Sequence, residues 1–360
     1  TKGALVFGSS GAILGSGANL TLSSNAVTNA AIGMIGDTNP TTTFGSRIFN
    51  PSTSTAAFLL GADSSETLDF TNFPYMRLAA FNYTSGATPS GVSNATTFTG
   101  TIIPANSTYR LGGRYMSGAL GAAGSTSTLV LGAKNILTAA NSANFTFGQT
   151  ALTDANNYTG GTVINGNAIA AVRIGVGSNA AFGTGTITIQ GSQTTHLGNI
   201  NGDHTLSNNI TFESTSTGGL EFAADPGTGG MLNNTNQGTM SYLGTVDFGG
   251  RNNPTLTGRP RGGLFLGDLK NATSLNYTQG SGGYMSLLAS STNGGVAKSF
   301  TGTLSIGNDG VLVIDSASSL GGATTLAQAG ATSANYSVLQ LHGAATVSLA
   351  SSVNVTVYPA

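Results

Sequence analysis

The sequence predicts an all-β chain wound as a right-handed parallel β-helix (a β-solenoid) with lateral loops. Three observations predict it. Residues 157–191 run as short alternations, Val163-Ile164, Val172-Arg173-Ile174 and Ile187-Thr188-Ile189, broken by glycine or asparagine. That is the period-two pattern of strands closed by residues that accept unusual backbone angles. Pieces of this tract recur along the chain, the sign of a stacked strand–turn unit that cannot bury its apolar face alone. Only 7% of residues are charged while glycines number 54, and no window carries i, i+3, i+4, i+7 apolar spacing with the charged outer face of a helix.

Taken in chain order, the first residues read as the tail of a unit. Ile13-Leu14-Gly15-Ser16-Gly17-Ala18-Asn19-Leu20-Thr21-Leu22 matches Ala181-Phe182-Gly183-Thr184-Gly185-Thr186-Ile187-Thr188-Ile189, so the chain is expected to be a mature or truncated segment of a longer product. Segment 39–95 is less regular. It holds Pro40, Pro51, Pro74 and Pro89 with Phe58, Phe70, Phe73, Tyr75, Phe81 and Tyr83. Proline is confined to strand edges, turns and bulges, which predicts loops leaving the stack, with the aromatics filling wider rungs or meeting a ligand. Segment 96–191 holds the best-formed repeats, Phe98-Thr99-Gly100-Thr101 and Tyr158-Thr159-Gly160-Gly161-Thr162. Segment 192–295 carries the weaker Tyr242-Leu243-Gly244-Thr245-Val246, and segment 296–360 resumes with Phe300-Thr301-Gly302-Thr303. About 60 residues separate Phe98 from Tyr158 and about 84 separate Tyr158 from Tyr242. The longer gap predicts an extra rung or a long loop near 195–240. The whole of 1–360 reads as a single solenoid.

Composition narrows the classes. A disordered chain combines low hydrophobicity with high charge, whereas 39% of this one is hydrophobic. Zero cysteines remove disulfides and thiolate metal sites. The formal net charge of −1 provides no field for gripping nucleic acid or an anionic membrane, and no apolar run long enough for a membrane helix is present. No nucleic-acid partner, membrane insertion, metal or cofactor is expected.

The tract Tyr158-Thr159-Gly160-Gly161-Thr162 with Asn165-Gly166, followed by Phe182-Gly183-Thr184-Gly185-Thr186-Ile187-Thr188-Ile189, closely resembles the autotransporter-associated β-strand repeat of bacterial surface proteins. Residues 70–130, with Tyr75-Met76-Arg77-Leu78 and Tyr109-Arg110-Leu111-Gly112-Gly113, are similar to the pattern between such repeats, as is Asp203-His204-Thr205-Leu206-Ser207-Asn208-Asn209-Ile210-Thr211-Phe212. The resemblance implies a parallel β-helix displayed outside a bacterial cell. The sequence shows no carboxy-terminal translocator of amphipathic membrane strands, so the secretion route does not follow from it.

Site chemistry is sparse. Asp63, Glu66 and Asp69 form one acidic cluster and Glu213, Glu221 and Asp225 another. Paired carboxylates cleave glycosidic bonds when one is buried and one ionised, but these acids sit in loop-like sequence and read as solvated charges. His196, His204 and His342 fit no metal-ligand spacing and read as turn or surface histidines. Gly307-Asn308-Asp309-Gly310 is a lone fragment of a calcium-binding series. The candidate contact surfaces for a subunit or ligand are Arg251, Arg259 and Arg261, in a segment that reads as an exposed loop, and Phe73, Tyr75 and Tyr83. Function is therefore expected to come from shape. The leading reading is a non-enzymatic structural protein of the bacterial surface or extracellular space, a rigid rod self-associating head to tail into a homopolymer by end-to-end strand pairing. Two alternatives remain: a monomeric adhesin binding glycans or other surface proteins, and a polysaccharide-degrading β-helix enzyme.

Overall fold

A computed structural model describes residues 4–8, 20–22, 30–81, 95–112, 114–115, 126–146, 148–166, 171–200, 202–223, 237–258, 263–279, 284–307, 310–329, 338–342, 348 and 354–356. The fold is a parallel β-solenoid with lateral loops. The chain divides into two compact units, Thr1–Gly175 with Ala180–Gly185 and Gly227–Asn234, and Val176–Asn179 with Thr186–Pro226 and Thr235–Ala360.

In the first unit, Ala4–Phe7, Ala31–Met34, Ala57–Leu60, Arg77–Ala80, Thr108–Leu111, Ser142–Thr146 and Thr162–Gly166 follow one another in one sheet, and Ala95–Phe98, Thr126–Leu131 and Gly148–Leu152 in a second. Pairing within both is parallel. Registers place one inward residue of each rung above the next. Ile32, Phe58, Leu78, Leu111, Phe145 and Ile164 form such a ladder, each buried to 1% exposure or less. Full burial of such a side chain contributes about 1.5–3 kcal/mol, so the stack of identical positions supplies the core that no single rung has.

A third sheet runs through the second unit. Ile187–Gly191, Ile210–Phe212, Val246–Arg251 and Leu269–Ala272 lie in one sheet; Thr195–Asn199, Leu220–Ala223, Thr255–Gly258, Ser274–Gln279, Thr301–Gly307 and Gly322–Ala329 in another; Gly202–Leu206, Gln237–Tyr242, Gly263–Phe265, Tyr284–Leu287, Val311–Ile314 and Val338–Leu341 in the third. The long gap after Tyr158 holds the rungs of Ile187–Gly191 and Ile210–Phe212 before Val246–Arg251. Rung length varies: equivalent positions are 21 residues apart at Thr257 and Thr278 and 36 apart at Asn209 and Thr245.

The recurring aromatic–x–Gly step marks a corner. Tyr158, Tyr242, Phe98 and Phe300 are all buried to 1% or less. A Cβ on Gly160 would lie 2.6 Å from the Asn141 carbonyl oxygen, and one on Gly244 would lie 2.2 Å from that of Asn208. Both carbonyls belong to the preceding turn of chain, so only glycine lets the corner close. The sequence copies are not equivalent rungs, however. Tyr158 and Tyr242 lead into strands of one sheet position, whereas Phe98 ends Ala95–Phe98 and Phe300 leads into Thr301–Gly307.

Polar positions are stitched along the stack. Thr257 and Thr278 hydroxyls meet at 2.9 Å, and the buried Thr128 hydroxyl donates to Gln149 Oε1 at 3.0 Å. Asp63, Asp203 and Asn209 each accept the backbone N–H of a later residue, Thr97, Thr239 and Thr245, at 2.7, 2.6 and 2.9 Å. Within segment 39–95, Ala57–Leu60 and Arg77–Ala80 keep their places in the first sheet, and a short helix and a lateral strand lie between the rungs. Pro40 opens a six-residue helix, Pro40–Gly45, capped by Asn39, whose Oδ1 accepts from the Thr42 N–H at 3.3 Å and the Thr41 hydroxyl at 2.8 Å. A two-stranded lateral sheet of Thr67–Asp69 and Thr101–Ile103 lies off the main ladders. Of the residues singled out in the sequence, 13–19, Tyr83, Pro89, Asp225, Arg259, Arg261, Asn308 and Asp309 lie outside the described residues.

Candidate functional site

Of the acids expected to be solvated, Asp63, Glu66, Asp69 and Glu213 are exposed and Glu221 is buried. Glu221 stands on Leu220–Ala223 at 4% exposure, in register with His196 on Thr195–Asn199 at 7%. His196 Nδ1 lies 2.8 Å from Glu221 Oε1. This corrects the surface reading of both residues: the strand register brings two polar positions of adjacent rungs together, and each satisfies the other out of water. Glu213 accepts from Gln190 Nε2 at 2.6 Å, on a different sheet from Glu221. Asp63 holds the Thr97 N–H. His204 is half-buried, its Nε2 2.9 Å from the Ile200 carbonyl oxygen. Among the described residues no group of three or more His, Cys, Asp or Glu is placed to hold a metal ion, and no helix is long and apolar enough to cross a membrane.

Arg251 also corrects its expectation of an exposed loop. It ends the strand Val246–Arg251, and its guanidinium lies 4.8 Å above the Phe212 ring, beside the Phe212–Phe248 stack. Burial there lowers its pKa from the ordinary arginine value. The charge lies over an aromatic face.

Two features are built as surfaces for something else. The first lies on the lateral lobe of the first unit, where Thr42 and Ser46 of the helix region, Pro51, and Asp69, Asn72 and Phe73 of the following turn line a groove of about 480 Å³. Phe73 is its buried floor, packed edge-on against Phe58 at 5.0 Å and 88°. Hydrogen bonds from the Thr71 hydroxyl and N–H hold the Asp69 carboxyl below the usual carboxylate range. Tyr75, by contrast, is 51% exposed, with Arg110 5.8 Å from its ring centroid. Of the proposed aromatic contacts, then, Phe73 floors the groove and Tyr75 stands on the surface.

The second is the edge strand Val338–Leu341 of the second unit. Leu206, Tyr242, Phe265, Leu287, Ile314 and Leu341 form one inward ladder. The first five are buried to 1% or less, while Leu341 is 41% exposed and its neighbours Leu339 and Val338 are 38% and 42% exposed. The sequence reading missed Asn72, Ser46 and this strand. The Asp-Phe-Thr-Asn turn and the Val-Leu-Gln-Leu run were the signals, but neither has a fixed motif. Comparison with protein-family models, with curated proteins and with solved structures finds no match for the chain.

Proposed function

We propose that the chain is a non-enzymatic structural protein of the bacterial cell surface or extracellular space, a rigid solenoid that extends head to tail by strand pairing between copies. The observation that carries this reading is the edge Val338–Leu341, which continues a core ladder in register and then leaves three large apolar residues about 40% exposed. A parallel strand at the end of a sheet with an apolar inner face is a template for another strand. A strand from a second copy would bury these side chains in the same way each rung buries the last. The resemblance of residues 157–191 to the repeats of bacterial surface proteins supports the proposed location. Of the acids a polysaccharide-cleaving enzyme could use, Asp63 accepts from the Thr97 N–H, Glu213 accepts from Gln190, and Glu221 lies beside His196.

Sedimentation velocity over a wide concentration range, with electron microscopy of the concentrated sample, tests the reading. The wild type is expected to grow into fibres with concentration, and the double substitution Leu339→Lys, Leu341→Lys to stay monomeric with its circular dichroism unchanged. A wild type that stays monomeric throughout overturns the polymer.

A further inference from the structure

We propose that the groove on the lateral lobe, lined by Thr42, Ser46, Pro51, Asp69, Asn72 and Phe73, binds a neutral saccharide. Its volume of about 480 Å³ falls in the range of roughly 300–1,000 Å³ usual for small-molecule sites. Its lining supplies what a polyol needs. A carboxylate and an amide three residues apart on one turn offer two acceptors and a donor pair, and two hydroxyls on the facing wall donate or accept. Phe73 and Pro51 give an apolar floor for the C–H face of a sugar ring. Among the described residues that line the groove none is cationic, which disfavours phosphate and acidic sugars. The apolar lining is too small to recognise a hydrophobic peptide.

The walls are fixed before any ligand arrives. Asn39 caps the helix and its Nδ2 donates to the Thr67 carbonyl oxygen at 3.1 Å, tying the helix to the strand that carries Asp69. The Phe73 N–H closes the turn on the Phe70 carbonyl at 2.7 Å, and the Phe70 N–H is held by Ile103 at 2.9 Å. Asp69 Oδ1 accepts the Thr71 N–H at 2.8 Å. A Cβ on Gly45 would meet the Phe73 ring at 3.1 Å, so helix and floor are in close contact. Such a site loses little entropy on binding.

The test is calorimetric titration, backed by saturation-transfer NMR, of the full chain with glucose, galactose, mannose, N-acetylglucosamine and their short oligomers. Uronic-acid oligomers and a tripeptide library serve as comparisons. At least one neutral saccharide is expected to bind saturably. Asp69→Asn, which keeps an acceptor for Thr71, and Asn72→Ala, at an exposed position, should each weaken it by about tenfold, with melting curves of both variants as the control for folding. Glu213→Gln, in the second unit, should leave it unchanged. Three results overturn the proposal: no neutral saccharide binding at the limit of solubility, binding confined to acidic sugars or peptides, or binding that neither groove variant alters. None of these bears on fibre growth, so the two readings stand or fall separately.

Discussion

Lys298 shows how this chain handles a charge it cannot leave in water. The residue is 4% exposed, and its Nζ points at four carbonyl oxygens, those of Gly267 at 2.7 Å, Leu288 at 2.8 Å, Val296 at 2.9 Å and Leu266 at 3.3 Å. An ammonium has three protons, so it ties three stretches of chain together at once. Burial pushes its pKa down to about 8, with Asp268 and Asp315 pulling back the other way. The unfolded chain keeps an ordinary lysine of 10.5. Between pH 8 and 10.5 the unfolded state therefore holds the extra proton, and folded stability rises with pH across that window. Below pH 8 both states are charged and the contribution is flat. Lys298→Met strips the carbonyls of their donor and is expected to cost about 2–4 kcal/mol at pH 7. The wild-type advantage over this variant should widen by up to about 3 kcal/mol by pH 10.5. Urea unfolding of both proteins at pH 7, 9 and 10.5 reads the difference. A gap that narrows with pH would show that the carbonyls hold the ammonium more tightly than burial repels it.

At the scale of the element, the corner decides which strands can stack. Tyr242 fills the core and its hydroxyl donates to the Asn208 carbonyl, which is also the oxygen that Gly244 must approach. Burial raises the Tyr242 pKa far above that of free tyrosine, so the hydroxyl stays a donor at any ordinary pH. Gly244→Ala would put a Cβ 2.2 Å from that oxygen and 3.0 Å from the tyrosine hydroxyl. The corner would have to open, at a cost of about 3 kcal/mol or more. Gly263→Ala on a neighbouring strand meets only the Phe222 and Phe265 side chains at 3.5 Å, an ordinary contact, and should cost under about 1 kcal/mol. Urea midpoints of the two variants separate close backbone approach from generic loss of glycine; equal midpoints would mean the corner is soft. This element was legible in the sequence because an aromatic, a spacer and a glycine lie within three residues of each other. The His196–Glu221 pair was not, because register, not sequence distance, sets which outward positions of two rungs meet. The groove was only half legible: proline clustering marked the lobe, but walls from the helix and from the Asp69–Phe73 turn meet through tertiary packing of Phe73 on Phe58.

Across the molecule, the alternation of small polar and apolar residues was enough to read the solenoid, because every rung repeats the same demand for an inward face. Rung length was not readable, since turns of 21 and 36 residues close on the same ladders. What the low charge does to the whole chain follows from its composition. Twelve lysines and arginines face thirteen aspartates and glutamates. Two described charges are engaged locally, Lys298 on carbonyls and Lys270 on Asp247 at 3.5 Å, the second a half-exposed pair. An exposed pair of that kind contributes about 0.2–1 kcal/mol and is screened by salt. The large terms, ladder burial and backbone pairing, are insensitive to ionic strength at moderate salt. Stability should therefore change by less than about 1 kcal/mol between 20 mM and 500 mM sodium chloride. Sodium sulfate at equal ionic strength should raise it, because excluded ions favour burial of apolar surface. Urea midpoints in the three media check this. A loss of several kcal/mol in sodium chloride alone would mean that ion pairs, and not the stacked apolar ladders, hold the solenoid together.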